Sequence, residues 1–370
     1  MKHLWFHTSV YVVSACSLTS VSDADIFTGV GFLPGTTRTW ATDLSADGQV
    51  VIGESQESLS VAPRDAWKWS PHTGIGALPM DPNAPSHAIA GGLSYDGGVM
   101  VGSAINAPPP NRRGLRWTGA GVTTFDLNVS DARLGLSSDG LIAVGSTGQS
   151  NPAIWRIGQP RQLIEPVINA PFGAPTQATG HAFAASSDGT RVVGVITAYD
   201  RPPGDFRQVI SIPFVWTPAT GTTALLNNGL LLQGAATDTS EDGIAVVGTA
   251  SNGSQVFRWT VAAGYTFVQV TSFPGVPKVS GDGRTVIFGD TYWDLDRGVL
   301  PLTQVLTEAG CDFSGWTITA ATGISFDGRT LCGEGIDPTG HRQGWYATVP
   351  APSATALLLT AVAVLRRRRR

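Results

Sequence analysis

Seven times the chain spells serine, any residue, aspartate and glycine, then an apolar patch and a closing glycine. The copies read LSADGQVVIG, LSYDGGVMVG, LSSDGLIAVG, ASSDGTRVVG, TSEDGIAVVG, VSGDGRTVIFG and ISFDGRTLCG. Their serines are Ser45, Ser94, Ser137, Ser186, Ser240, Ser280 and Ser325, spaced 40 to 54 residues apart. Self-similarity at roughly that period means a stacked array or a propeller, because one such unit cannot bury its apolar face alone.

Each copy has the same internal grammar. Asp-Gly between apolar runs is a hairpin signal, since glycine accepts the positive φ that such turns demand. The closing glycines are Gly53, Gly102, Gly145, Gly194, Gly248, Gly289 and Gly333. A glycine within a strand marks a bulge or a close backbone approach. Four residues before the serine, Ala41, Ala90, Ala182, Ala236 and Ala321 supply the small side chain that an innermost strand near an axis needs. Arg133 and Val276 depart from this, and the sixth copy carries one extra residue, expected to be a bulge. Further on, each copy produces one tryptophan, namely Trp69, Trp117, Trp155, Trp216, Trp259, Trp293 and Trp345, read as a packing series at one structural position. After all but the last comes a glycine turn and another apolar stretch. Four strands per repeat make a propeller blade.

The expected fold is therefore all-β, a seven-bladed β-propeller of four-stranded blades. The last repeat ends at GWYATVP without a fourth strand, whereas the first is preceded by an orphan, FTGVGFLPG, at 27–35. Letting that N-terminal strand complete the last blade closes the ring and leaves no edge open for aggregation. With 45 Gly, 24 Pro and only 14% charged residues, the composition fits such a chain and disfavours a helical one. A formal charge of −4 gives no electrostatic reason to expect a nucleic-acid partner.

Both ends read as addresses. Residues 1–24 carry Lys2, an apolar stretch and then small residues, the order of a secretory signal peptide, with cleavage expected after Ala24. VSAC at 13–16 also matches a lipoprotein processing site, so two routes of export remain open. Residues 25–349 form the propeller. Residues 350–370 combine Pro350 and Pro352, a short apolar run, and Arg366, Arg367, Arg368, Arg369 and Arg370. The run is shorter than the roughly 20 residues of a stable membrane helix, and the arginines would hold it on the cytoplasmic side. This tail resembles the PEP-CTERM sorting signal, which implies an exosortase-type processing partner and only transient residence in the inner membrane. A simple C-terminal anchor is the alternative.

Taken together, GFLPGTTRTWATDLSADGQVVIGES at 31–55 and FSGWTITAATGISFDGRTLCGEG at 313–335 resemble the HAF-repeat proteins, an extracellular bacterial family. The resemblance spans about residues 27 to 349 and implies export and a propeller-like fold, without an established chemistry.

No residue pattern points to a reaction. The turn aspartates Asp47, Asp96, Asp139, Asp188, Asp242, Asp282 and Asp327 recur once per blade, so they ring one face instead of converging, as Asx-turn residues do. His72, His87, His181 and His341 are scattered, and no nucleophile elbow or phosphate-binding loop is present. No cofactor is expected. Asp294 and Asp296 are candidates for Ca²⁺ or for capping a turn. Cys311 and Cys332 are an isolated pair, either a disulfide stapling the last blade or buried thiols. Ligand contacts are expected on the variable loops opposite the Asp-Gly turns, at Arg112 and Arg113 in one insert and Arg201, Asp205 and Arg207 in another. Three readings follow: an exported non-enzymatic module that binds an envelope polysaccharide or protein, a structural matrix component, or a secreted polysaccharide-active enzyme.

Overall fold

A computed structural model describes residues 27–57, 65–81, 87–104, 112–129, 134–165, 177–199, 208–250, 253–270 and 275–349. Seven four-stranded antiparallel sheets succeed one another in chain order and form a seven-bladed propeller. Blade 1 comprises Arg38–Leu44, Val51–Gln56, Asp65–Ser70 and Gly74–Ala77, from the axis outward. Blades 2 to 6 repeat this order, with innermost strands Ala88–Leu93, Gly135–Leu136, Gln177–Ala185, Gly234–Thr239 and Lys278–Val279. In blade 7 the strands Thr317–Ile324, Thr330–Ile336 and Arg342–Thr348 come from the end of the chain, and Phe27–Gly29 supplies the fourth. Phe27 pairs with Ala347 and Gly29 with Trp345, so the expected closure is present.

Blade packing follows from the alternation of the second strand. Six residues after each serine the side chain faces the preceding blade; at seven it faces the next. Ile52 thus meets Met100, Val101 meets Ala143, Val144 meets Val192, and Val193 meets Val246. The series continues with Val247 and Val286, Ile287 and Leu331, and finally Cys332 and Val51. Seven such cores account for the apolar patch in every repeat.

Five blades explain the alanine and the closing glycine together. Ala41, Ala90, Ala182, Ala236 and Ala321 pair with Gly53, Gly102, Gly194, Gly248 and Gly333, and a bulge follows each alanine at once. The bulge pushes the preceding carbonyl toward the glycine. A Cβ on Gly53, Gly102, Gly194, Gly248 or Gly333 would lie 2.0 Å from that oxygen, a distance no side chain tolerates. Blades 3 and 6, whose sequences lack the alanine, have inner strands of only two residues.

Two expectations are corrected. The extra residue of the sixth copy is not a bulge: Phe288 takes the closing-glycine position and pairs with Thr291, while Gly289 and Asp290 form a two-residue turn. Gly289 has φ +52°, the positive value such a turn requires. Nor do all seven tryptophans share a position. Trp69, Trp117, Trp155, Trp216, Trp259 and Trp293 each pair with the residue six after the serine, but Trp345 pairs with Gly333, eight after it. Trp345 matches Trp67, which pairs with Gly53, and Ala347 holds the series position in blade 7. Phe27 and Trp316 fill the space there, with ring centroids 5.9 and 5.4 Å apart from Phe27 to Trp345 and Trp316 respectively.

Candidate functional site

The Ser-x-Asp-Gly turns are structural. In all seven, the serine hydroxyl donates to its aspartate at 2.5–2.8 Å. The same carboxylate accepts the N–H two residues on, at 2.8–3.1 Å. The serine oxygen accepts the N–H five residues on. For Asp96 and Asp188 these partners, first the N–H of Gly98 or Thr190, hold the carboxyl below its usual pKa. Such carboxylates are committed to their own turns.

The turns also join one another around the axis. Asp47 N–H donates to the carbonyl of Tyr95, Tyr95 to Ser138, Asp139 to Ser187, Ser187 to Glu241, Glu241 to Gly281, Asp282 to Phe326, and Phe326 to Ala46. Three large side chains of this ring reach over small neighbours and narrow that end of the central channel. Tyr95 and Phe326 lie 6.5 Å apart between centroids, while Ser138 donates a hydrogen bond across blade 4 to Glu241. Gly281 is the seat for two of them, since a Cβ there would lie 2.3 Å from Phe326 and 2.7 Å from Glu241.

Inside the ring is a cavity of about 750 Å³, within the range of pockets that enclose small ligands. Leu134, Leu136 and Phe183 line it on blades 3 and 4. Opposite them, blades 1, 5 and 6 contribute Asp43, Asp238 and Lys278. Lys278 Nζ lies 3.4 Å from Asp43 Oδ2, and Asp238 Oδ2 accepts the Val279 N–H at 3.0 Å. Burial pushes the Asp238 carboxyl up to about 6; Lys278 and the Val279 N–H pull it down and Asp43 pushes it up. Thr42 is part of the same wall, and its buried hydroxyl has no hydrogen-bond partner among the described residues.

A titration follows from Asp238. Its folded pKa exceeds the ordinary carboxyl value, so the folded state binds the extra proton and stability falls as pH rises from about 4 through about 6. Asp238→Asn removes this loss. The variant's stability relative to wild type should rise by roughly 1–3 kcal/mol between about pH 4 and about pH 7 and stay flat above that. Urea midpoints across the range check it.

Repeat reasoning did not find these three residues, although a signal existed. Two places before the serine, four copies have Gly92, Gly135, Ala184 and Gly323, whereas three have Asp43, Asp238 and Lys278. Charge at a position otherwise held by glycine or alanine marks the blades that line the channel with polar groups.

The residues expected at loops fare differently. Arg112 and Arg113 begin the third strand of blade 2, Arg112–Thr118, and are half-buried at its loop-face end instead of belonging to the insert. Arg201, Asp205 and Arg207 lie outside the described residues, as do Pro350, Pro352, Arg366, Arg367, Arg368, Arg369 and Arg370. No disulfide joins Cys311 to Cys332. Cys332 faces blade 1, whereas Cys311 follows the helix Leu302–Glu308 and packs in the core between blades 6 and 7, on the other side of the same sheet. Burial raises both thiol pKa values, that of Cys311 to about 11, which leaves them unreactive. Asp294 Oδ1 accepts the N–H groups of Asp296 and Arg297, and Asp296 pairs with Arg284, so this segment is a capped turn. Among the described residues no group of three or more His, Cys, Asp or Glu is placed to hold a metal ion.

No protein-family model matches the chain, and no curated protein matches it. Among solved structures it is similar to the β-propeller domain of the Trilobed protease from Pyrococcus furiosus, at 10% identity and a TM-score of 0.51, over 85% of this chain and 99% of that one. The likeness is one of fold. That domain is described as having an open velcro topology; here the Phe27–Gly29 strand closes the last blade. TolB from Acinetobacter baumannii aligns at 15% identity with a TM-score of 0.40, over 62% of this chain and 54% of that one.

Proposed function

We propose that this chain is an exported, envelope-associated binding module without catalytic activity, whose ligand, a polysaccharide or protein of the envelope, enters the channel from the loop face. The cavity walled by Asp43, Asp238 and Lys278 carries this reading. Polar side chains of several blades converge there, the ion pair of Lys278 with Asp43 among them. The Asp-Gly turns offer no rival, because their carboxylates are committed. Export rests on the N-terminal segment, on the tail with its exosortase-type signal, and on the resemblance to HAF-repeat proteins. A fold of this kind is compatible with a binding or structural role and by itself selects no activity.

One observation favours the second reading, a polysaccharide-active enzyme. Asp238, whose carboxyl is pushed up to about 6 by burial, shares the channel wall with Asp43, and paired carboxyl groups are the equipment of glycoside cleavage. A single experiment separates the two. Purified protein is incubated with extracellular polysaccharide, and both retention of the polymer and release of reducing ends are followed for wild type, Asp238→Asn and Lys278→Ala. Retention without release, weakened several-fold by Lys278→Ala, supports the binding module. Sustained release abolished by Asp238→Asn overturns it.

A further inference from the structure

Both ends of the described propeller leave on one side. In every blade the turn between the first and second strands, and that between the third and fourth, lie at the same end of the sheet. The ring of turn-to-turn hydrogen bonds puts all seven blades in the same sense, which defines a hairpin face and an opposite loop face. The strand Arg342–Thr348 runs toward the hairpin face, where Val349 N–H donates to the carbonyl of Arg329, just past the Asp327 turn. Phe27 pairs with Ala347 at the same end. Residues before 27 and after 349 therefore continue from the hairpin face.

The same face is apolar at its tips. Tyr95, Leu141, Ile157, Ile244, Val261, Leu295 and Phe326 are all exposed there, Val261 at 71% and Ile244 at 54%. These seven are over half of the large apolar side chains exposed among the described residues. Exposed apolar surface gathered on one side marks an interaction site. Sequence supplies the occupant: after Val349 come six residues, then the apolar run 356–365 and five arginines. From Val349 to residue 356 the chain reaches about 24 Å at full extension, so a tail held in a bilayer keeps this face close to it.

We propose that the hairpin face rests on the bilayer surface, its apolar turn tips at the boundary of headgroups and acyl chains, with the loop face and channel mouth turned away. The proposal rests on the reading that the tail holds the chain at a membrane. The face also carries the seven turn aspartates, six of them exposed. Arg161, Arg284, Arg297 and Arg329 are exposed on the same face, Arg284 and Arg329 paired with acidic neighbours, so apolar contact and not net charge sets the orientation.

The test uses the full chain in a Cys16→Ser background, Cys311 and Cys332 being buried. An environment-sensitive fluorophore is attached at Val261→Cys or Ile244→Cys, and in a control at Leu230→Cys on a loop-face hairpin. Each protein is mixed with phosphatidylcholine vesicles, with and without phosphatidylglycerol, and read by flotation and by a lipid-borne quencher. Flotation with at least about two-fold stronger quenching at 261 and 244 than at 230, in either lipid, supports the proposal. Flotation with equal or stronger quenching at 230, or with none at any site, overturns the orientation and leaves the membrane-held tail standing. Absence of flotation overturns the tail reading and the orientation with it.

Discussion

Alanine at Gly333 is expected to destabilise the ring by about 4 kcal/mol or more. The new Cβ would lie 2.0 Å from the carbonyl oxygen of Ala320 and 2.4 Å from the Trp345 ring. Neither neighbour can yield cheaply, since the carbonyl is fixed by the bulge and Trp345 is fully buried beneath Phe27. Gly76→Ala is the control, because nothing lies within 4 Å of its Cβ position and its φ is not positive. Urea denaturation should give a much lower midpoint for the first variant and an unchanged or slightly higher one for the second. Comparable midpoints would mean that the bulges relax freely and that the repeat glycines have another origin.

Removing residues 27–33 should cost about 5 kcal/mol or more and create an association-prone protein. The deletion strips Phe27, Val30 and Leu33 from two cores, and loss of a buried phenylalanine side chain alone costs about 3–5 kcal/mol. It also leaves the strand Arg342–Thr348 as a bare edge, which invites pairing with another copy. Thermal melting together with light scattering at several protein concentrations checks both effects. A synthetic peptide of residues 27–35, added in trans, should restore part of the melting temperature. A truncated protein that melts like wild type and stays monomeric would show that the closing strand is dispensable.

Much of this architecture was legible because a repeat reports the same physical demand seven times. Ser45 to Gly53 specify a turn and a strand, and the reappearance of that pattern at Ser325 tells the reader how often the blade is built. The orphan segment at 27–35 and the missing strand after Trp345 were likewise complementary on paper. Registers were harder. Trp345 looks like the seventh member of a series, yet pairing places it two residues from the others, and only strand alignment can reveal that Ala347 holds the shared position. The choice between a disulfide and buried thiols stayed open on sequence for a related reason: the repeat pattern places Cys332 in a core but does not show that this core is walled off from that of Cys311 by the intervening sheet. The channel residues were hidden for the opposite reason. Asp43, Asp238 and Lys278 are departures from the repeat, and attention to what recurs passes over what does not.

The linked turns around the axis have an electrostatic corollary. Each unit in that loop donates forward and accepts from behind, and the sequence of donors returns to its starting point at Ala46. Their dipoles circulate, so the vectors cancel, unlike those of a helix, which accumulate and leave partial charge at its tips. The backbone encircling the axis thus presents a neutral collar. Polarity in the central passage comes from side chains instead, the individual substitutions at Asp43, Asp238 and Lys278 among them, which allows a change of specificity without disturbing the sevenfold frame.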